Sequence, residues 1–227
     1  MIAFGLGIDW RGTAKGMHAF ATEKIRTALG RRIARHLSSI RAMSRWQKVL
    51  SLLLLTVMIY GPGIAFYLSD TSVHYDYDLY RARTQTILDG GLLYRDVPTE
   101  TPPLINYLLV PAQLLGGAES PYVWGAYEAF FAFLLAGMLY LAFRRYDEWK
   151  AYLMGVITVL SPYLIIESAT GEDAAIVAFV FFLGAAAMAL NSRYAPMAIA
   201  LGIWTKMWSV LVFPIEFLRA KGLREKA

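Results

Sequence analysis

The sequence predicts an all-α protein: a polytopic transmembrane helical bundle of five or six spans, with a long extracytoplasmic first loop containing interfacial helices. Three observations carry this expectation. The 227-residue chain is 57% hydrophobic with a mean hydropathy of +0.45. Only 17% of it is charged, against about 25% in ordinary soluble domains. One polar, acidic stretch, residues 69–120, interrupts the apolar runs and holds seven of the 17 acids.

Charge is unevenly spread. Residues 1–50 hold ten Lys/Arg and two acids, a balance of +8; the remaining 177 hold twelve and fifteen, a balance of −3. Basic clusters beside a first span stay on the cytoplasmic side, which predicts a cytoplasmic N-terminus and a multi-pass protein of the cell (plasma) membrane. The adjoining span argues against a nucleic-acid arm, so no nucleic-acid partner is expected. The chain has no cysteine, which excludes a disulfide framework, a thiolate metal site and a catalytic thiol.

The chain divides into a basic amphipathic N-terminal segment, 1–47, and a transmembrane domain, 48–227. In the first, Phe20, Ile25, Leu29, Ile33, Leu37 and Ile40 recur at helical spacing with Arg/Lys opposite. Such a helix lies on an anionic inner leaflet or packs on a partner. Lys48 to Leu68 is the first span, about 21 residues for a core of about 30 Å. Trp46 and Lys48 anchor it inside, and Gly61-Pro62-Gly63 kinks or frays its outer end.

In the loop that follows, Leu79 to Leu93 reads as a short helix closed by Gly90-Gly91, and Leu104 to Leu115 as an interfacial or re-entrant piece. Pro121 to Phe143 is the second span. Ala151 to Ile166 is the third, bent at Pro162, and Glu167 to Asp173 forms an acidic outer loop. Ala174 to Leu190 returns inward. Tyr194 to Leu218 is either one span or, preferred by the positive-inside bias of its basic tail, a hairpin broken near Thr205-Lys206.

Candidate site residues follow from this layout. Asp76 and Asp78 form a DxD pair; on an extended segment alternate side chains share a face, so the two could bind one divalent ion or a sugar-phosphate. Asp70 lies closer to the membrane and competes with them, and His74 is an isolated loop histidine. Glu167, Glu172 and Asp173 share the outer side with Asp78. Carboxylates meeting from two loops suit general-base catalysis with metal or acceptor binding; Asp173 is equally a good helix N-cap. Arg81, Arg83 and Arg95 are the loop's only cations, able to clamp a lipid phosphate or to pair with the loop's acids. Lys206, inside an apolar stretch, is costly unless it faces a cavity, which makes it a candidate phosphate ligand.

The succession of an aspartate after the first span, DLYRA, LDGGLLYRD and TPPLINYLL resembles polyprenyl-phosphate-sugar-dependent glycosyltransferases of the GT-C superfamily, in their prokaryotic mannosyltransferase-like branch. SPYLIIESATGEDAAIVAFVFFLGAAA and LGIWTKMWSVLVFP are similar to that family's second outer loop and following spans. The resemblance covers about residues 48–218. It implies an outward-opening cavity that receives a hexose from a lipid-linked donor for an extracytoplasmic acceptor. It further implies Asp78, with Asp76 next, as general base, and Glu172 or Asp173 as acceptor or metal ligand. Lys206 would stand near the donor phosphate, and a divalent cation (Mg or Mn) would act with Asp76, Asp78 and Asp173 in those relatives that use one. Family members usually have eight or more spans, so the resemblance is to a short form or N-terminal portion, with a possible partner chain supplying the missing spans. Two other functions compete: a non-catalytic scaffold or half of a split glycosyltransferase, and a transporter of lipid-linked precursors. The acids cluster in outer loops and no internal repeat is visible, which ranks the transporter third.

Overall fold

The computed structural model describes residues 30, 36, 38–67 and 75–219. Most of the basic N-terminal helix, along with Asp70 and His74, therefore lies outside the described residues. The described part is helical, with no strand beyond a single bridge between Leu93 and Val97. The chain divides after Lys48 into two compact units.

In the first unit, residues 38–42 are helical and the helix stops at Met43-Ser44. Ser44 then starts helix α1 (Arg45–Tyr67) with a reciprocal cap. Its hydroxyl accepts from the Gln47 amide at 3.3 Å, and the Gln47 side chain accepts from the Ser44 amide at 2.8 Å. This capping box begins the first membrane helix three residues before the expected Lys48. The helix also runs on through Gly61-Pro62-Gly63, held by the buried Tyr60 and Ile64 on its inner side.

Seven further α-helices form the second unit together with the rest of α1: α2 (Tyr75–Leu88), α3 (Pro103–Ala112), α4 (Pro121–Phe143), α5 (Glu148–Val159), α6 (Pro162–Thr170), α7 (Ala174–Ala189) and α8 (Ala195–Thr205). A 3₁₀ turn (Met207–Leu211) and a short α9 (Phe213–Arg219) close the described chain. Among the described residues two helices, α1 and α4, are long and apolar enough to cross a membrane. The pair α5–α6, bent by 41° at its break, makes a third if it is one span. Outward-facing Leu54, Met58, Ile157 and Leu211 stay exposed, which suits hydrocarbon as solvent and marks the chain as a membrane protein.

Small residues set the helix spacing. α4 packs on α5 and α7, and α7 on α8. Leu52 of α1 packs against Gly155 of α5, and Ile64 against Gly125 of α4. At Gly202 in α8 a Cβ would collide with the Ser209 hydroxyl and stand 2.8 Å from Ser209 Cβ. That lets the 3₁₀ turn fold back tightly against α8. The last apolar stretch is thus broken at Lys206, whose backbone is extended (φ −158°, ψ 142°).

The polar insertion is a folded platform. α2 turns Tyr77, Tyr80, Arg83 and Thr84 inward, one stripe at helical spacing. The Tyr77 hydroxyl and the Trp124 indole N–H both donate to the Gly117 carbonyl, at 2.7 and 3.0 Å, and their rings meet edge-on at 5.7 Å. Buried Arg83 donates to the Pro98 carbonyl at 3.1 Å and to Thr101 Oγ1 at 3.4 Å, tying the 89–102 connection to α2. α3, ten residues long, covers only about 15 Å and ends in a single π turn, Gln113–Gly117. α2 begins at Tyr75, four residues before the expected Leu79, because burial of Tyr77 and Tyr80 selects helix over the extended form.

Gly202→Ala is expected to destabilise the detergent-solubilised protein by about 1–3 kcal/mol, the usual range for overpacking. Gly137→Ala is the control, since a Cβ there meets nothing within 4 Å. Thermal unfolding followed by circular dichroism should separate the two; equal melting temperatures would contradict the tight turn.

Candidate functional site

The site is built where four chain ends converge. α6 stops at Gly171, whose left-handed backbone (φ 77°, ψ 26°) caps the helix and is the conformation glycine adopts without steric cost. The Glu172 amide returns to the Glu167 carbonyl at 3.0 Å. This tight turn delivers Glu172 and Asp173 immediately before α7. From the opposite side come α2, carrying Asp76 and Tyr80, and the break after α8, carrying Lys206.

Asp173 is the centre. It is 4% exposed. The Tyr80 hydroxyl donates to its Oδ2 at 2.6 Å, and the Lys206 ammonium donates to Oδ1 and Oδ2 at 2.9 and 3.0 Å. A carboxylate in this setting must be paired and hydrogen-bonded to persist, and its two donors, an ammonium and a phenol, make three bonds to it. Burial, and then the adjacent Asp173 charge, push the Tyr80 phenol well above its ordinary range, so it stays a hydrogen-bond donor.

Asp76 and Glu172 line the rim. The Asp76 carboxyl is pushed above its ordinary value, first by burial and then by Glu172 and Asp173, with Lys206 and Arg83 opposing. Glu172 is pushed up from 4.5 to about 7, chiefly by a side-chain hydrogen bond with Glu167 and then by burial. Glu172 is thereby moved towards neutral pH.

Beside this cluster opens a cavity of about 350 Å³. Asp173, Lys206 and Tyr163 form its polar end, and Val177, Phe181, Phe182 and Leu211 lead away from it as an apolar wall. The cavity thus sets an ion pair beside a mostly apolar lining.

The other expected residues are elsewhere. Asp76 and Asp78 sit in the first turn of α2, where positions i and i+2 stand about 200° apart, so the shared face expected of an extended DxD does not form. Asp78 is exposed and pairs with Arg81 at 3.9 Å. Arg81 also donates to the Ala118 carbonyl at 3.3 Å, and Arg95 pairs with Asp96 at 2.7 Å. Arg83 is committed to the connection described above. Among the described residues, no three His, Asp or Glu side chains converge to hold a metal ion. The donor set Asp76, Asp78 and Asp173 does not assemble: Asp78 is turned away, and Asp173 is filled by Tyr80 and Lys206.

Three participants were not among the expected site residues: Tyr80, Tyr163 and Glu128. Glu128 is fully buried in α4, and its Oε2 accepts from the Ala175 and Ile176 amides at 2.9 and 3.3 Å. The signal for it was a lone acid inside an apolar span. Tyr80 and Tyr163 lie within DLYRA and SPYLII, where nothing local singled out the tyrosine itself.

No protein-family model, curated protein or solved structure matches the chain.

The Glu167–Glu172 pair predicts a pH effect. A carboxyl whose folded value is raised from 4.5 to about 7 binds more protons folded than unfolded within that window. Its contribution is full below pH 4.5 and is lost as pH rises to about 7. Melting temperatures measured across this range should fall with pH, and Glu172→Gln should flatten the fall. An identical slope in the variant would remove the pair from the account.

Proposed function

We propose that the protein is a GT-C-type membrane glycosyltransferase that moves a hexose from a polyprenyl-phosphate donor to an extracytoplasmic acceptor hydroxyl. The observation that carries this reading is the joining of the Lys206–Asp173 ion pair to an apolar trough of about 350 Å³, with Asp76 and Glu172 near enough for their carboxyls to feel Asp173 and Lys206. Lipid phosphate needs a cation at its head and hydrocarbon along its chain, and sugar hydroxyls need carboxylates to accept from. All three lie together there.

In the proposed reaction Asp76 is the general base. It stands half-buried on the cluster side of α2, and its raised carboxyl is nearer the operating pH than an ordinary aspartate's. It takes the proton of the acceptor hydroxyl, whose oxygen forms a bond to the anomeric carbon. The bond from that carbon to the phosphate oxygen breaks, and polyprenyl phosphate leaves with the electron pair. Lys206 stabilises the charge gathering on that phosphate, while Asp173 and Tyr80 hold the lysine in place. Glu172 and Glu167 are the acceptor's or sugar's hydroxyl ligands. Asp78, the base implied by family resemblance, is exposed and paired with Arg81, which favours Asp76 over it. No step runs through a metal.

The proposed membrane path has α1, α4, α5–α6 and α7 as successive spans, with α8 and the broken tail as a fifth or as a hairpin. The N-terminus is cytoplasmic, as its +8 balance over residues 1–50 requires, and the site then opens outside. The proposed setting is the cell membrane, with a partner chain as a possible source of further spans.

Transfer from polyprenyl-phosphate-linked mannose and glucose in membranes is the direct test. Asp76→Asn should lower turnover about 10²–10⁴-fold, the usual worth of a general base, whereas Asp78→Asn should retain most of it. Lys206→Met should abolish donor use. Transfer lost in Asp78→Asn but kept in Asp76→Asn would reverse the base assignment. No transfer from folded wild type would favour a scaffold or half-enzyme.

A further inference from the structure

We propose that Glu128 is a positioning residue for this site: by capping α7 from a neighbouring helix, it frees Asp173, which stands at the cap position itself, to hold Lys206 and Tyr80. The consequence for glycosyl transfer rests on the proposed function, but the positioning does not.

The first-turn amides of a helix have no partners within it and need acceptors. An aspartate immediately before the first helical residue ordinarily supplies one from an extended backbone. Asp173 has the right position but neither the conformation nor the bond. Its φ and ψ are −106° and 8°, and its side chain makes no cap hydrogen bond. Both of its oxygens are used by Tyr80 and Lys206. The amides that it would have served, Ala175 and Ile176, are bonded by Glu128 Oε2 instead.

Glu128 can reach them because α4 approaches the α6–α7 turn closely. Gly125, one turn earlier on the same face of α4, has the Ser168 carbonyl 3.0 Å from where its Cβ would stand. Glu128 lies seven residues past Pro121, about 10 Å along the helix, where water is scarce and an acid without a task is costly. Among the described residues its own Oε1 has no partner, nor does the hydroxyl of buried Tyr60. The carboxyl is therefore retained at some cost, and the two amides are what it serves.

With an apolar residue in place of Glu128, two buried amides lose their acceptor. The nearest replacement is Asp173, one residue before α7. Turning to cap them, it would release Lys206. Glu128 thus acts on the lysine through a second carboxylate that it never touches.

The test compares wild type, Glu128→Gln and Glu128→Met as full chains in detergent or lipid discs. Each is treated with a small amine-acylating reagent at neutral pH, and modification is read by mass spectrometry at Lys206 and, as internal control, at Lys150. Gln keeps an oxygen acceptor and should leave Lys206 as shielded as in wild type. Met has similar bulk and no acceptor, and should raise Lys206 modification several-fold while Lys150 stays unchanged. A folded Glu128→Met protein with Lys206 still shielded overturns the proposal. If that variant does not fold, amide hydrogen exchange in wild type and Glu128→Gln decides. Slow exchange at Ala175 and Ile176 in both supports the cap; exchange as fast as at unbonded first-turn amides overturns it. Neither readout needs glycosyl transfer, so an inactive wild type would count against the proposed function alone.

Discussion

The ion pair between Lys206 and Asp173 is the constraint around which the second unit is arranged. An ammonium in an apolar stretch is tolerated only with a partner or a polar cavity, and here it has both. The partner must itself be desolvated to reach it, and a desolvated carboxylate needs more than one donor. Tyr80 supplies the second. The pair therefore joins three otherwise separate pieces of chain: helix α2, the start of α7 and the break after α8. That break follows from the same requirement. A continuous helix through residue 206 would carry Lys206 on whichever face its register gave, whereas an extended residue there (φ −158°, ψ 142°) directs it at Asp173, and the chain resumes as a 3₁₀ turn packed on Gly202.

The platform formed by α2 and α3 gives the cluster its outer side. Its rigidity comes from polar groups working inward: Arg83 on the 89–102 connection, Tyr77 and Trp124 sharing one carbonyl, and Tyr127 donating to the Leu108 carbonyl at 2.9 Å. Each replaces water for a backbone group that would otherwise be unsatisfied near the membrane. The cations read as phosphate clamps are thus spent differently. Arg83 is an internal brace, and Arg81 and Arg95 are surface partners of acids.

How far the sequence was legible depended on what decided each element. α4 ran over the expected Pro121–Phe143, and α7 over nearly the expected stretch, because length and apolar composition alone define them, with Pro121 and Asp173 marking their starts. The break at Lys206 was legible for a different reason: charge inside an apolar run demands irregular backbone or a cavity. α2 was misread at its start because alternating Tyr and Asp over 75–78 matches the period of a strand, while helix was selected by burying Tyr77 and Tyr80 against Trp124 and Asp173. Those partners lie 47 and 93 residues further along the chain, beyond any local pattern. The same shift in backbone separated Asp76 from Asp78 and dissolved the DxD pair. Glu128 was legible as an anomaly, since intramembrane acids are rare, but not as a cap, since nothing local shows which helix end it meets.

The charge balance of the cluster bears on what it can bind. Asp76, Glu128, Glu167, Glu172 and Asp173 gather around Lys206 and Arg83, and both cations already have partners. Glu172, hydrogen-bonded to Glu167 and partly buried, is accordingly pushed up to about 7. A free multivalent anion would be repelled from this rim. A neutral polyol, offering hydroxyls for carboxylates to accept from, would not. The arrangement therefore sorts its two halves by chemistry. Asp173, Lys206 and Tyr163 make the polar part of the cavity lining, and Val177, Phe181, Phe182 and Leu211 make the apolar part.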